Sequence, residues 1–180
     1  RICLGPGTSG VQSHIDAYER YPENDLLTWD EGEPPDYMGT IADYGRAYAF
    51  VSYLTYHFGM RDLTVDLVAN AQNSIASIDS TLADLGYSER FGDVLRGEKV
   101  ADLLDDPDFG GGIYDQGLID IGIRTFEVNT NVYPVNHTID STVRYSAYYI
   151  RLTGGSPTMS LSVSSPDPVE VTIVGTGSSM

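Results

Sequence analysis

Two apolar periods divide this chain, and the break between them falls at Asp106-Pro-Asp-Phe-Gly-Gly-Gly112. Before it, apolar residues recur three and four positions apart, the spacing of one helix face. Tyr44, Ala47, Tyr48, Val51, Leu54 and Phe58 form a stripe that begins at Asp43 and stops before Gly59, a C-terminal cap. Asp62 is placed to cap a second helix with Leu63, Leu67 and Val68 inward, and Ser74 a third with Ile75, Ile78, Leu82 and Leu85 inward, stopped by Gly86. Phe91, Val94, Leu95, Val100, Leu103 and Leu104 make a fourth stripe, which Gly97 is expected to bend or split before Pro107. Short connectors predict antiparallel neighbours.

After the break the period becomes two, and β-branched and aromatic residues take over. Strands are expected at Leu118–Ile123, Thr125–Val128, Thr142–Leu152, Thr158–Val163 and Val169–Val174, with turns at 154–157 and 164–168. Met159, Leu161 and Val163 alternate with serines, and Val169, Val171 and Ile173 with Glu170 and Thr172, the pattern of a hairpin that buries one face. The expected fold is therefore α+β: an irregular segment over 1–42, an antiparallel helical subdomain over 43–107, and a small antiparallel β-sandwich-like domain over 108–180.

Charge narrows the function classes. Twenty-six acidic side chains against ten basic ones give a formal net charge of -16, and Lys99 is the only lysine among 180 residues. Such a surface repels nucleic acid and anionic membranes, and no apolar run approaches the ~20 residues of a membrane span. Many carboxylates with almost no lysine suit a halophile, where high ionic strength screens their repulsion. Cys3 stands alone, so an internal disulfide is impossible. With no initiator Met and no signal peptide, the chain reads as a processed product or a fragment.

Few residues form a catalytic or ligand motif. Gly7-Thr-Ser-Gly10 is not a nucleophile elbow, and Gly110–Gly112 has neither the preceding strand nor the following Lys-Ser/Thr of a phosphate loop, so it reads as a linker. Asp105, Asp106, Asp108 and Asp115 surround that glycine run and are candidate calcium ligands, although they lack the regular Asp-x-Asp-x-Asp-Gly order. Asn136-His-Thr138 is an N-glycosylation sequon, with Asn136 the acceptor. Thirteen tyrosines include the groups Tyr44/Tyr48/Tyr53/Tyr56 and Tyr145/Tyr148/Tyr149; at helical spacing these read as core-edge residues, and the second group as a binding face or an interface between the two parts.

A family resemblance spans Asn24 to Pro107. Leu26–Asp30, Asp43–Leu54, Tyr56–Gly59, Asp66–Asn70, Ser74–Ile78, Leu85–Tyr87, Phe91–Leu95 and Val100–Pro107 occur in an order that resembles the segment following the zinc site in secreted metallopeptidases related to immune inhibitor A and hyicolysin. Val143–Thr153 resembles the strand-rich region that follows. The resemblance implies a parent with a zinc helix and metal-assisted peptide hydrolysis, but none of His14, His57 and His137 begins His-Glu-x-x-His. Trp29-Asp-Glu-Gly32 is one residue short of the stretch that bears the third ligand in relatives, and Pro34-Pro35 follows, so Glu31 reads as a solvated loop carboxylate. No catalytic, cofactor or metal residue is assigned; zinc is expected only in an upstream half. The expected role is a non-catalytic wall of the substrate cleft in an extracellular protein, partnered by that half or by another extracellular protein. The alternative is a standalone extracellular structural or binding protein on a peptidase-derived scaffold.

Overall fold

The computed structural model describes residues 9–29, 37–139, 144–154 and 158–175. Five α-helices dominate them: α1 Ser9–Tyr18, α2 Tyr37–His57, α3 Met60–Ala69, α4 Ser74–Asp84 and α5 Phe91–Leu104. Two three-residue strands, β1 Val128–Thr130 and β2 Ile150–Leu152, pair in parallel with Val128 opposite Ile150. The expected antiparallel β-sandwich is thus corrected: among the described residues the second half is mostly extended chain without sheet pairing.

Local chemistry accounts for the helix ends. Gly59, at φ +104°, separates α2 from α3, and Gly86, at φ +87°, follows α4. At the start of α5, Asp93 accepts the Arg90 N–H at 3.0 Å, and Asp79 of α4 accepts the Phe91 N–H at 2.7 Å. Asp105 closes α5 in the left-handed region, which a short polar side chain tolerates. Gly97 does not split α5, which runs from Phe91 to Leu104; it is where a side chain would strike the Tyr53 hydroxyl. The segment read as irregular contains α1, which packs closely on α2: a Cβ on Gly45 would collide with the His14 carbonyl.

The buried face of α2 is rotated from the expected one. Ala42, Arg46, Ala49, Phe50, Tyr53, Leu54 and Phe58 point inward, whereas Tyr44 is 50 % and Val51 55 % exposed. The helix carries two apolar stripes, and the true inner one is interrupted by an arginine, which hides it from a hydrophobicity reading. On α3, Leu63 is buried but Val68 is 84 % exposed. One apolar cluster joins α2 through α5 around Phe50, Leu54, Leu63, Leu82 and Val94. A second joins α1 and α2 to the chain beyond α5 through Ile15, Tyr18, Ala49, Ile119 and Ile121.

The expected strand Leu118–Ile123 has the right period and a different partner. Ile119, Ile121 and Ile123 are buried and the residues between them exposed. Its amides bond to the helical layer instead of a neighbouring strand: Ile121 to Asp105 Oδ2 at 3.1 Å, Gly122 to Glu19 Oε1 at 2.9 Å, and Ile123 to the Asp102 carbonyl at 3.3 Å. Further on, 158–163 and 169–174 alternate as expected but bury nothing, with Met159, Leu161, Val163, Val169, Val171 and Ile173 all exposed. A lone two-stranded hairpin without a third strand or helix beneath it is marginal in water, so alternation alone does not make a sheet.

Candidate functional site

The densest chemistry lies where the two apolar clusters meet. Arg46 of α2 and Glu98, Lys99 and Asp102 of α5 are buried together with Tyr18 of α1, Gln116 and Tyr149. The inward faces of the two helices put them there: Arg46 lies four residues before Phe50, and Glu98 four residues after Val94. Arg46 Nη1 meets Glu98 Oε1 at 2.5 Å, and the guanidinium lies 5.6 Å from the Tyr18 ring centroid and 5.8 Å from that of Phe50. Lys99 Nζ donates to the Tyr18 hydroxyl at 2.5 Å, which donates in turn to Asp102 Oδ2 at 2.5 Å. Gln116 Nε2 donates to Asp102 Oδ1 at 2.6 Å, and the Tyr149 hydroxyl to the Lys99 carbonyl at 2.9 Å.

Burial governs the proton affinities here. Desolvation pushes the Glu98 carboxyl up to about 7, against the pull of Arg46, and brings the Lys99 ammonium down to about 8. Burial would lower the Arg46 pKa, but Glu98, Tyr18 and Asp102 raise it beyond its ordinary value, so the guanidinium keeps its charge. Tyr18 and Tyr149 are both raised, by burial first and then by the neighbouring carboxylates. Arg46 Nε and Nη2, Glu98 Oε2 and Gln116 Oε1 are buried without a hydrogen-bond partner among the described residues. Partial satisfaction of this kind is costly, and the cluster is an ion-pair network under tension rather than a fully satisfied one.

Lys99, Tyr18 and Asp102 form a proton relay in outline, but catalysis needs substrate within hydrogen-bond reach of the acid or base. Among the described residues an open depression lies elsewhere, between α3 and α4, lined by Asp66, Asn70, Gln72, Ser80, Thr81 and Asp84. The buried cluster ties helices together.

The residues singled out from the sequence do not converge. Asp105 takes the Gln116 and Ile121 amides, Asp106 the Asp108 amide, and Asp115 the Gly117 amide, so three of the four proposed calcium ligands serve backbone N–H groups around the glycine run. That run forms a tight turn, Phe109–Gly112, with all three glycines at positive φ. Among the described residues no three His, Cys, Asp or Glu side chains gather to hold a metal. His14 stacks on Tyr44, His57 Nε2 meets the Asp115 carbonyl at 2.7 Å, and His137 Nε2 meets Glu127 at 2.7 Å. Asn136 is exposed. Glu31 and Cys3 lie outside the described residues. No helix among the described residues is long and apolar enough to cross a membrane.

Of the tyrosines, Tyr53 donates to the Ile113 carbonyl at 2.9 Å, Tyr145 packs edge-on to Phe91 at 5.4 Å, and Tyr149 anchors to Lys99, all in seams between segments. Tyr44 is different: exposed on the outer stripe of α2, it meets the Trp29 ring edge-on at 4.5 Å. The buried cluster escaped the sequence reading, although one signal was present. A chain that has a single lysine and places it beside Glu98, three residues from Asp102 and among apolar positions, marks that lysine as an interior group. No family model, curated protein or solved structure matches this chain.

Proposed function

We propose that this chain is a non-catalytic scaffold, the helical wall of a secreted zinc-metallopeptidase-like protein whose zinc-bearing half lies outside these residues. The observation that carries the reading is the second apolar stripe of α2. Tyr44 and Val51, two turns apart, are both about half exposed and Trp29 extends the face at one end, while Tyr48 between them packs in part against the Ile15 cluster and Tyr44 also stacks on His14. A stripe of this kind on a core helix suits a packing partner. The ordered resemblance over Asn24 to Pro107 favours, as that partner, a catalytic half whose zinc helix would lie beyond this wall. The interior network supports a structural role, because its side chains bond α1, α2 and α5 to one another.

The test is made on protein from its natural source, by intact mass and zinc content together with amide exchange over residues 44–55. A chain longer than 180 residues with one zinc, and slower exchange over 44–55 than in the 180-residue chain alone, supports the reading. A metal-free chain of 180 residues overturns it and leaves a standalone extracellular structural or binding protein.

A further inference from the structure

The alternating segment 169–174 lacks the devices that keep an extended chain from pairing with another. Val169 and Val171 are each 49 % exposed and Ile173 is 79 % exposed. Among the described residues no main-chain to main-chain hydrogen bond reaches 169–174. An extended strand with free N–H and C=O groups is a template for a second chain, and natural edges are guarded by lysine, proline, a bulge or a well-placed charge. This segment has neither lysine nor proline, and its one charged side chain, Glu170, is ion-paired with Arg96 of α5. That contact turns the Glu170 side of the segment toward α5, and a period of two puts Val169, Val171 and Ile173 on the opposite side.

We propose that 169–174 is a self-association strand, which pairs antiparallel with the same strand of a second copy of this chain on a two-fold axis at Val171. The sequence complements itself in that register. Val171 stands opposite Val171, Val169 opposite Ile173 and Glu170 opposite Thr172, so every apolar residue meets an apolar one and no two like charges face each other. Centring the pair on Glu170 would set two carboxylates against each other, and centring it on Thr172 would set Glu170 against Val174. The pairing gathers six apolar side chains on one face. Met159, Leu161 and Val163 of each copy, exposed on the preceding alternating segment, supply six more to bury against them, which lifts the assembly above a lone strand pair that is marginal in water.

Charge permits a second copy at this place. Residues 141–180 carry two acidic and two basic side chains, Asp167 and Glu170 against Arg144 and Arg151, so the formal excess of sixteen negative charges lies in residues 1–140. Two copies repel each other through that part and meet without repulsion at 169–174. Salt screens the repulsion and is expected to tighten the pair. The pairing needs no zinc-bearing half, so either proposal can fail without the other.

The full 180-residue chain is followed by sedimentation equilibrium from about 1 μM to 1 mM. A dimer is expected, about tenfold or more tighter in about 1 M NaCl than in about 0.1 M. Val171→Asp sets two carboxylates opposite each other on the axis and is expected to leave a monomer throughout; Ser164→Asp, the same charge outside the strand, is expected to keep the dimer within about threefold. The register is read by oxidative cross-linking in a Cys3→Ser background. Val171→Cys is expected to join two copies, and Ile173→Cys, whose two copies would lie about 14 Å apart along the strands, to leave them separate. A monomer at every concentration in both salts overturns the proposal and leaves the apolar row to a different partner. So does a dimer that Val171→Asp leaves intact, or one that Ile173→Cys joins more readily than Val171→Cys.

Discussion

Arg46 enters the interior from the middle of α2 and, among the described residues, has Glu98 as its one carboxylate at contact distance and no hydrogen bond to its Nε or Nη2. Two kinds of substitution separate what this pair is worth from what breaking it costs. Arg46→Met leaves Glu98 buried with only the Lys99 ammonium, 3.7 Å from Oε2, to compensate it, and is expected to cost about 3–5 kcal/mol in urea unfolding. R46M/E98M removes both charges and is expected to be neutral or more stable by up to about 4 kcal/mol. A double variant as unstable as Arg46→Met would mean the network is a net stabiliser. Gly45 raises a different question, because the atom its missing Cβ would strike is a backbone carbonyl of α1 that cannot rotate away. Gly45→Ala is expected to push α1 off α2 and cost about 1–3 kcal/mol, read as a shift of the urea midpoint at unchanged slope.

Extended segments with the same alternation meet different fates here, and substitutions expose the difference. Ile121 is buried against Ile15 and Tyr18, so Ile121→Ala is expected to cost about 2–5 kcal/mol. Val171 sits on an alternating segment that covers nothing in a single copy, so Val171→Ala is expected to stay within about 0.5 kcal/mol in dilute solution. A cost at Val171 matching that at Ile121 would show that the 169–174 segment is buried within one copy. The contrast explains what was legible in the sequence. Helices α2 to α5 were, with the stops of α2 and α4, because a 3.6-residue period and a following glycine are local signals, and Gly59 and Gly86 do take positive φ; the expected caps Asp62 and Ser74 instead lie inside α3 and α4, which Gly59 and Asn73 precede. The face of α2 was not, since Arg46 interrupts the inner stripe while Tyr44 and Val51 complete an outer one. Nor was α1, whose Ser9–Tyr18 run has polar residues at Gln12, Ser13 and Asp16 and a short apolar stripe at Val11, Ile15 and Tyr18. Sheet formation was over-read, because alternation specifies which side chains face inward and says nothing about which groups take the backbone hydrogen bonds. For 121–123 those groups are Asp105, Glu19 and a helix-end carbonyl, contacts between residues far apart in sequence.

At the scale of the whole molecule, two electrostatic effects share a sign and differ in their response to salt. The chain has a formal excess of sixteen negative charges, most of its described carboxylates at least partly exposed, and their mutual repulsion weakens as they take up protons or as salt screens them. Inside, burial raises the proton affinity of Glu98 to about 7 and also lifts Glu19 and Asp105 above their ordinary values. The folded chain thus holds more protons than the unfolded one between about pH 4.5 and 7, so acidification across that window stabilises it. In low salt the melting temperature is expected to rise from pH 7.5 to pH 5.5, and at pH 7.5 to rise again as NaCl increases from about 0.1 M to 1 M, because the Debye length shrinks from about 10 Å to 3 Å. Salt reaches the surface term and barely touches a carboxyl with no exposed area. The pH dependence that survives in 1 M NaCl is therefore the interior contribution, and Glu98→Gln is expected to remove most of it. If high salt abolishes the pH dependence altogether, the surface alone is responsible, and the interior carboxylate titrates as it would in an unfolded chain. If salt leaves the melting temperature at pH 7.5 unchanged, the acidic surface is not what limits stability, and the halophilic reading of the composition falls with it.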